Sequence, residues 1–211
     1  STGFSAGRLK TALRGRGGVR TILVIGDGHG ILSALLHNRF PSARILLVDL
    51  GATLLFQAVY LAKAFPLATH VLTDEDFAAT SDATFSYCPA DRIESLPNGD
   101  IDLAVNVASM QEMTLAAVAG YFKLLRKRRT RIFYCCNRLE KRLSGGELLR
   151  FMDYPWLTAD VHLVDEACPW HQWFFGRSRA PRVRVGGVAI PLVHRYDGVH
   201  WHRLTRLAQG S

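Results

Sequence analysis

The sequence lacks long apolar segments. No uninterrupted apolar run approaches the ~20 residues that a membrane-spanning helix requires. Residues 1–20 are punctuated by arginine and glycine and contain no continuous signal-peptide core. We therefore expect a cytoplasmic protein that has no membrane partner. The chain also lacks internal repeats, low-complexity tracts and recognisable linkers, which favours a single domain.

Cysteine is scarce, and its spacing is not that of a metal or disulfide framework. The four cysteines are Cys88, Cys135, Cys136 and Cys168, and they form no CxxC pair. Neighbouring residues in a strand point to opposite faces, so Cys135 and Cys136 are not expected to act together. No i, i+4 histidine pair or compact acidic cluster stands out either. The sequence therefore predicts buried free thiols and assigns no metal site.

Size and charge restrict the function classes only broadly. The chain has 211 residues, of which 48% are hydrophobic and 21% charged, as expected for one globular domain with a substantial core. Lysine and arginine number 26 against 18 acidic residues, which gives a net charge of +8. This balance fits a nucleic-acid partner, an acidic substrate or a basic surface alone, so charge does not identify the partner.

Apolar runs and helical repeats alternate along the chain up to Arg138. We predict strands over residues 21–25, 44–49, 85–88, 101–107 and 131–137. We predict helices over residues 5–13, 31–39 and 51–65, and a later helix with an apolar face of Leu115, Val118, Ala119, Phe122 and Leu125. The polar stretch 69–84 is predicted to be an excursion. The alternation predicts an α/β fold, a Rossmann-like, doubly wound and mostly parallel sheet.

The pattern changes beyond Arg138. Residues 161–165 and 199–207 are typical of strands, and a long aromatic and basic insertion separates them. We predict that they close the sheet as an antiparallel C-terminal pair. The single domain 1–211 then has three parts: a lead-in (1–20), a core that binds a cofactor (21–138) and a C-terminal part with the insertion (139–211).

Three alternating glycines follow the first predicted strand and open the first predicted helix. At Gly26, Gly28 and Gly30 a ligand can approach the backbone, and the amides of the helix terminus face it. Asp49 ends the second strand, where a carboxylate can accept hydrogen bonds from the ribose of an adenosine. The NAD fingerprint requires glycine where this chain has Ile31. The pattern favours a nucleotide-like cofactor other than NAD, and a tight turn with Asp49 as a helix cap is the alternative.

A GxGxG turn followed by a strand-ending acid resembles the class I S-adenosylmethionine-dependent methyltransferases, over residues 20–140. The resemblance implies S-adenosylmethionine as the cofactor and S-adenosylhomocysteine as its product. It implies that the loop Gly26, Asp27, Gly28 and Gly30 packs under the methionine portion and that Asp49 holds the ribose.

The same resemblance assigns two further residues. Asp91, in the segment CPADRIESL, corresponds to the acid that meets the adenine, and Asn106 ends the strand that lies beside the sulfonium. The superfamily usually has Asp or Glu two residues before the first glycine, where this chain has Val24. Because that acid helps to orient the loop, a non-catalytic cofactor-binding or assembly module stays open as an alternative.

A narrower motif concerns the acceptor. The segment DLAVNVASMQEM (residues 102–113) resembles the N-x-x-S-M-Q-E-M signature of a sugar O-methyltransferase family found in bacterial polysaccharide and glycoside gene neighbourhoods. FYCCNRLEKRL (133–143) and YPW (154–156) are similar to other elements of that family. The resemblance implies a small sugar or glycoside acceptor. Some sugar methyltransferases use a divalent ion, so a metal site stays unassigned. An RNA or other nucleic-acid methyltransferase is the alternative, because of the charge and the basic stretch 177–184.

A sugar hydroxyl is a weak acid, so a base that takes its proton would assist methyl transfer at neutral pH. The candidates are Glu112, just past the fourth strand, His171 and His162. Trp170 and Trp173 flank His171 and could stack on a sugar face. The alternatives are that Glu112 is a helix-terminal acid and that the aromatic residues form a core or a homo-oligomer contact. Orientation alone can also supply much of the rate.

Overall fold

The computed structural model describes residues 18–72, 83–96, 99–174, 182–191 and 198–209. The predicted helix over residues 5–13 lies outside these ranges. None of the helices within them combines the length and the apolar character that a bilayer span requires.

The strands are β1 (Thr21–Ile25), β2 (Arg44–Asp49), β3 (His70–Leu72), β4 (Phe85–Pro89), β5 (Leu103–Val107), β6 (Ile132–Arg138), β7 (Glu140–Arg142), β8 (Leu148–Arg150), β9 (Val161–Ala167), β10 (Arg182–Val185), β11 (Val188–Pro191) and β12 (His200–Arg206). The α-helices are α1 (Ile31–Arg39), α2 (Gly51–Ala64), α3 (Leu115–Lys127) and α4 (Pro169–Phe174). Short 3-10 helices follow β4, β5 and β8 at Ala90–Ser95, Met110–Glu112 and Phe151–Asp153.

Eight of these strands form one sheet, in the order β3-β4-β2-β1-β5-β6-β12-β9. The pairs from β3 to β6 are parallel. β12 runs antiparallel to both of its neighbours, β6 and β9. The predicted fold class is therefore confirmed, as is the antiparallel pairing of the two C-terminal strands.

The central strands are apolar throughout because both faces of the sheet are covered. Leu23 and Ile25 of β1 pack on the face that α3 covers. Ile22 and Val24 pack on the opposite face with residues of α1 and α2, and all four side chains are fully buried. Val24, where the resemblance places an acid, is thus an ordinary core residue.

The buried faces of two helices differ from the prediction. In α2, the helical spacing of Leu54, Ala58, Leu61, Ala62 and Phe65 predicts one apolar face, but Ala62 is exposed. The buried polar residue Gln57 takes a place on the inner face because its side chain binds Asp49. In α3, Leu115 is 37% exposed and Ala119 is also exposed. The buried α3 residues are Val118, Tyr121, Phe122, Leu124 and Leu125.

The prediction did not include five short strands and one short helix. β3 lies within the stretch predicted as an excursion, where it pairs with β4 at the edge of the sheet. The hairpins β7–β8 and β10–β11 and the helix α4 lie in the C-terminal part. These elements are too short for a hydrophobic period to mark them.

Candidate cofactor site

The strand order reverses at β1. From β1 the chain first adds β2, β4 and β3 on one side, and it then adds β5 and β6 on the other side. In open α/β sheets, ligands bind outside the carboxyl ends of the strands at such a point. The glycine loop (residues 26–30) follows β1 there, and the turn at Ala108 and Ser109 follows β5. The Gly26 amide donates to the Val48 carbonyl at 2.8 Å and so ties the loop to β2.

All three glycines of the loop have left-handed backbone conformations, with φ of 70°, 67° and 85° at Gly26, Gly28 and Gly30. A Cβ atom at Gly26 would overlap the Ser109 side chain. At Gly30 it would lie 3.3 Å from atoms of Tyr60 and Leu61. At Gly28 it would meet no atom within 4 Å. The first and last glycines therefore allow close packing, and the middle glycine faces open space.

Asp49 holds the glycine loop. Its carboxylate accepts hydrogen bonds from the Gly28 amide at 3.1 Å, the Leu50 amide at 2.8 Å and the Gln57 side-chain amide at 2.6 Å. A carboxylate offers roughly four acceptor positions, so one is left for a ligand hydroxyl. Asp49 can therefore shape the loop and still bind a ribose.

Asp27 lies in the loop but is directed toward α1. Its two oxygens accept hydrogen bonds from the amides of Leu32 at 3.0 Å and Ser33 at 2.8 Å. These amides belong to the first turn, which has no partners inside the helix. Burial raises the pKa of Asp27. Asp27 thus caps α1, and a direct contact with the cofactor stays a prediction.

A cavity of about 580 Å³ opens beyond the carboxyl ends of β2 and β4. It is lined by Leu50, Gly51, Pro89, Ala90, Asp91 and Arg92. Asp91 is exposed on the 3-10 helix that follows β4, and Leu50 directly follows Asp49. The two predicted acids therefore border one continuous edge of the sheet.

Asn106 is fully buried and belongs to a hydrogen-bond network beneath the turn after β5. Its amide nitrogen donates to the Ile25 carbonyl at 2.9 Å and also contacts the Ser109 hydroxyl. Its oxygen accepts from the Asn137 amide at 2.7 Å. Ala108, inside the turn, has a φ of 56°, a strained value for a residue other than glycine. Asn106 thus positions the turn and the end of β1, and direct contact with a cofactor stays a prediction.

Glu112 ends the 3-10 helix after β5 and forms an ion pair with Lys141 of β7. Its carboxylate also accepts a 3.3 Å hydrogen bond from the side-chain amide of Gln111. Partial burial acts to raise the pKa of Glu112, but the bonds from Lys141 and Gln111 outweigh it and leave the pKa lowered. Glu112 is therefore ionised at neutral pH and is a weak base.

His171 lies on α4 and has two thiols as neighbours. Its Nδ1 atom is 3.3 Å from Cys168 Sγ and 3.8 Å from Cys136 Sγ. Its ring stacks on His200 with centroids 4.1 Å apart. Trp170 is 62% exposed, and the side chain of Trp173 lies outside the described residues.

His162 lies far from the glycine loop. Its Nδ1 atom is 2.9 Å from the hydroxyl of Thr205, which pairs with Phe133 near the amino end of β6. The glycine loop is at the opposite, carboxyl edge of the sheet. This position removes His162 from the candidate bases.

Sequence reasoning missed two groups of residues. The first is the network partners of Asn106, which are Ser109, Gln111 and Asn137. The second is the group of Cys136, Cys168 and His171. The available signal for the second group was the Cys-x-x-His spacing of Cys168 and His171, which matches neither a CxxC pair nor an i, i+4 histidine pair.

No family model and no curated protein matches this chain. Solved structures do. The mitomycin 7-O-methyltransferase MmcR superposes with a TM-score of 0.54 at 14% identity, covering 96% of this chain and 52% of that one. Coclaurine N-methyltransferase bound to N-methylheliamine and SAH gives 0.53 at 9% identity, covering 89% and 65%. The N-methyltransferase NodS from Bradyrhizobium japonicum WM9 gives 0.55 at 12% identity, covering 96% and 93%.

The chain therefore has the fold of these methyltransferases. It spans about half the length of the mitomycin enzyme. The neighbours include both an O-methyltransferase and N-methyltransferases, so the shared fold does not specify the acceptor atom.

Proposed function

We propose that this protein binds S-adenosylmethionine and transfers its methyl group to a hydroxyl of a sugar or glycoside. One observation carries the proposal. The glycine loop lies at the point where the sheet order reverses, with open space at Gly28 and the Asp49 carboxylate beside it. A cofactor with a ribose and a small charged end fits such a site.

The residues at this edge fit that cofactor. Asp49 has an acceptor position left for a ribose hydroxyl, and the cavity beside Asp91 offers room for an adenine ring. Asp27 caps α1, and Asp49 binds the Gly28 amide. These two carboxylates orient the loop, so the buried Val24 does not leave it unsupported. When bound, the cofactor supplies a methyl group on a sulfonium, which is already activated for displacement.

The sugar acceptor rests on the resemblance of residues 102–113 to the sugar O-methyltransferase signature. In the structure, Asn106, Ser109 and Gln111 of this segment build the turn next to the glycine loop. The Gln111 oxygen also accepts from the Arg138 amide at 2.8 Å, which ties the segment to β6. Asn106, Ser109 and Gln111 thus support the β5 side of the glycine loop, and Asp49 lies on the β2 side.

The basic stretch 177–184 lies largely outside the described residues, and a second group of basic residues lies away from the glycine loop. Arg20, Arg44, Arg129 and Arg131 line a groove that borders the amino ends of β1, β2 and β6. This groove and the glycine loop lie at opposite edges of the sheet. A phosphate backbone bound in this groove would be separated from the glycine loop by the length of the strands.

Proton removal has two candidates in this proposal. Glu112 is ionised and follows β5, but its pairing with Lys141 makes it a weak base. His171 has its Nδ1 atom directed at thiol sulfurs, so only Nε2 could accept a proton from a substrate. We therefore expect that orientation of the acceptor against the activated methyl group supplies most of the rate.

The first experiment measures cofactor binding. S-adenosylhomocysteine should raise the melting temperature of the protein, because a ligand that binds only the folded state stabilises it. NADH is the control and should leave the melting temperature unchanged. A rise with NADH and none with S-adenosylhomocysteine would overturn the proposal.

The second experiment measures transfer. Isotopically labelled S-adenosylmethionine is offered with separate panels of sugars and glycosides, small amines, and RNA. Label in the sugar panel supports the proposed acceptor, and label in the amine or RNA panel overturns it. Cofactor binding with no label in any panel would favour the non-catalytic module.

A further inference from the structure

Three metal-ligating side chains that are distant in the sequence meet beside β6. Cys136 lies on β6, Cys168 directly follows β9, and His171 lies on α4. Their ligand atoms, two sulfurs and one ring nitrogen, all lie within 4.8 Å of one another. We propose that Cys136, Cys168 and His171 bind one zinc-class divalent transition-metal ion. This proposal departs from the sequence analysis, which assigned no metal site.

The distances suit a tetrahedral ion. Bond lengths of about 2.3 Å to sulfur and about 2.0 Å to nitrogen place a sulfur and a nitrogen ligand about 3.6 Å apart. The two sulfur-to-nitrogen distances in the structure are 3.3 Å and 3.8 Å. The two sulfur-to-nitrogen distances therefore need to change by only a few tenths of an ångström for these atoms to bind one ion. With three protein ligands, the fourth position would be taken by solvent.

The donor set selects the class of ion. Two thiols and an imidazole form a soft set that favours Zn²⁺ and excludes Mg²⁺ and Ca²⁺, which require oxygen ligands. Cys136 and Cys168 are buried, and two thiolates would balance the charge of a divalent ion.

Residues around the three ligands hold them in place. The Tyr134 hydroxyl is a hydrogen-bond partner of the Cys136 sulfur. His200 stacks on the His171 ring at an interplanar angle of 7° and so limits its rotation. Such outer contacts orient metal ligands and tune their affinity.

A bound ion would connect three elements next to the cofactor edge. Cys136 is in register with Val107, the last residue of β5, and its carbonyl accepts a 2.8 Å hydrogen bond from the Ala108 amide. The ion would thus anchor α4, and with it the start of the C-terminal insertion, against the strand that supports the turn after β5. Its role in this proposal is structural.

The test starts with the wild-type protein. The protein is stripped with a chelator under reducing conditions, refilled with Zn²⁺ or Co²⁺, and dialysed. We expect one equivalent of bound zinc by elemental analysis, and with cobalt a thiolate-to-metal charge-transfer absorption in the near ultraviolet. No bound zinc above a denatured control would overturn the proposal. This measurement requires no methyl transfer, so its result is independent of the proposed function.

Variants then identify the ligands. Cys136→Ser and Cys168→Ser should each weaken zinc binding by more than about 100-fold, and Tyr134→Phe by about tenfold. Cys135→Ser is the matched control, because Cys135 is buried and adjacent in sequence but packs in the core on the opposite face of β6. Circular dichroism verifies the fold of each variant, and the wild-type result stands if one fails to fold.

Two results would overturn the assignment. One is an equal loss of zinc affinity in Cys135→Ser and Cys136→Ser. The other is a disulfide between Cys136 and Cys168 in the wild-type protein under the reducing conditions of the assay, detected by peptide mass spectrometry.

Discussion

Two groups of polar side chains at the carboxyl edge of the sheet satisfy their hydrogen bonds in different ways. Asp49 binds two backbone amides and Gln57 and borders open space. Asn106 is fully buried, and its amide group is bound by Ile25, Ser109 and Asn137. Both residues lie at the ends of strands, so their place in the sequence does not distinguish them. Burial and the remaining hydrogen-bond capacity distinguish them. Asp49 can still bind a ligand, whereas Asn106 supports the turn after β5.

The sharpest test of this difference is removal of the Asn106 amide. Asn106→Ala removes hydrogen bonds to buried groups of Ile25, Ser109 and Asn137 and leaves a cavity in the network, so we expect the free energy of unfolding to fall by about 3 kcal/mol. Urea denaturation measures this change. Asp91→Ala, at an exposed site, is the control and should change stability by less than about 0.5 kcal/mol. A loss below about 1 kcal/mol for Asn106→Ala would contradict a structural role.

At Asp49 we expect the main effect of a substitution on cofactor binding and not on stability. Asp49→Asn should weaken binding of S-adenosylhomocysteine by about 2 kcal/mol, or about 30-fold, because the ribose loses a charged acceptor. Calorimetry measures the affinity. Asp102→Asn is a matched control, since Asp102 also accepts from backbone amides, those of Arg20 and Thr21, but at the amino edge. Unchanged affinity in Asp49→Asn, with the fold intact, would remove Asp49 from the site.

Substitution of Gly28 tests whether a ligand occupies the open space beside this residue. Gly28→Ala puts a methyl group where a Cβ meets no protein atom, so we expect about 1 kcal/mol of backbone strain and about tenfold weaker binding of S-adenosylhomocysteine. Gly146→Ala carries the same strain, at a φ of 87° in the turn between β7 and β8, also with open space around it. Its affinity should stay at the wild-type value. Equal affinity in both variants would mean that no ligand approaches Gly28.

The smallest effect is expected at Glu112. Because its pKa is lowered, the carboxylate stays ionised as the pH falls toward its ordinary range, and kcat should be independent of Glu112 titration between about pH 5 and pH 8. Glu112→Gln should lower kcat by less than about tenfold. Lys141→Met removes the main pKa-lowering partner and should move any acidic limb to higher pH. An acidic limb near neutrality that disappears in Glu112→Gln would show that Glu112 is a strong base after all, and one that disappears in His171→Asn would assign that role to α4.

Sequence patterns predicted the glycine-loop half well, because its determinants are local. β1, α1 and β2 have the predicted bounds, since buried parallel strands are continuous apolar runs and glycine or proline ends them. The position of Asp49 follows from the same local signals, because Asp49 ends β2 and only α1 separates β2 from the glycine loop, and its contact with a ribose stays a prediction.

The C-terminal half could not be predicted in the same way, because its contacts join distant segments. The partner of Glu112 is Lys141, which a three-residue strand positions. Cys136 meets His171 only after β9 has joined the sheet through β12. Hydrophobic periodicity does not predict which distant residues pair. The type and spacing of a residue also do not show whether other groups in the fold already satisfy its hydrogen bonds.

The position of β12 between β6 and β9 has a consequence for how the protein is made. β9 leaves the ribosome before β12, yet in the described part of the sheet its only neighbour is β12. Until residues 200–206 emerge, β6 is an edge strand with unpaired backbone groups, and β9 has no place to dock. Such exposed edges attract other chains. The nascent chain therefore passes through an aggregation-prone stage in which a chaperone has an exposed strand edge to protect.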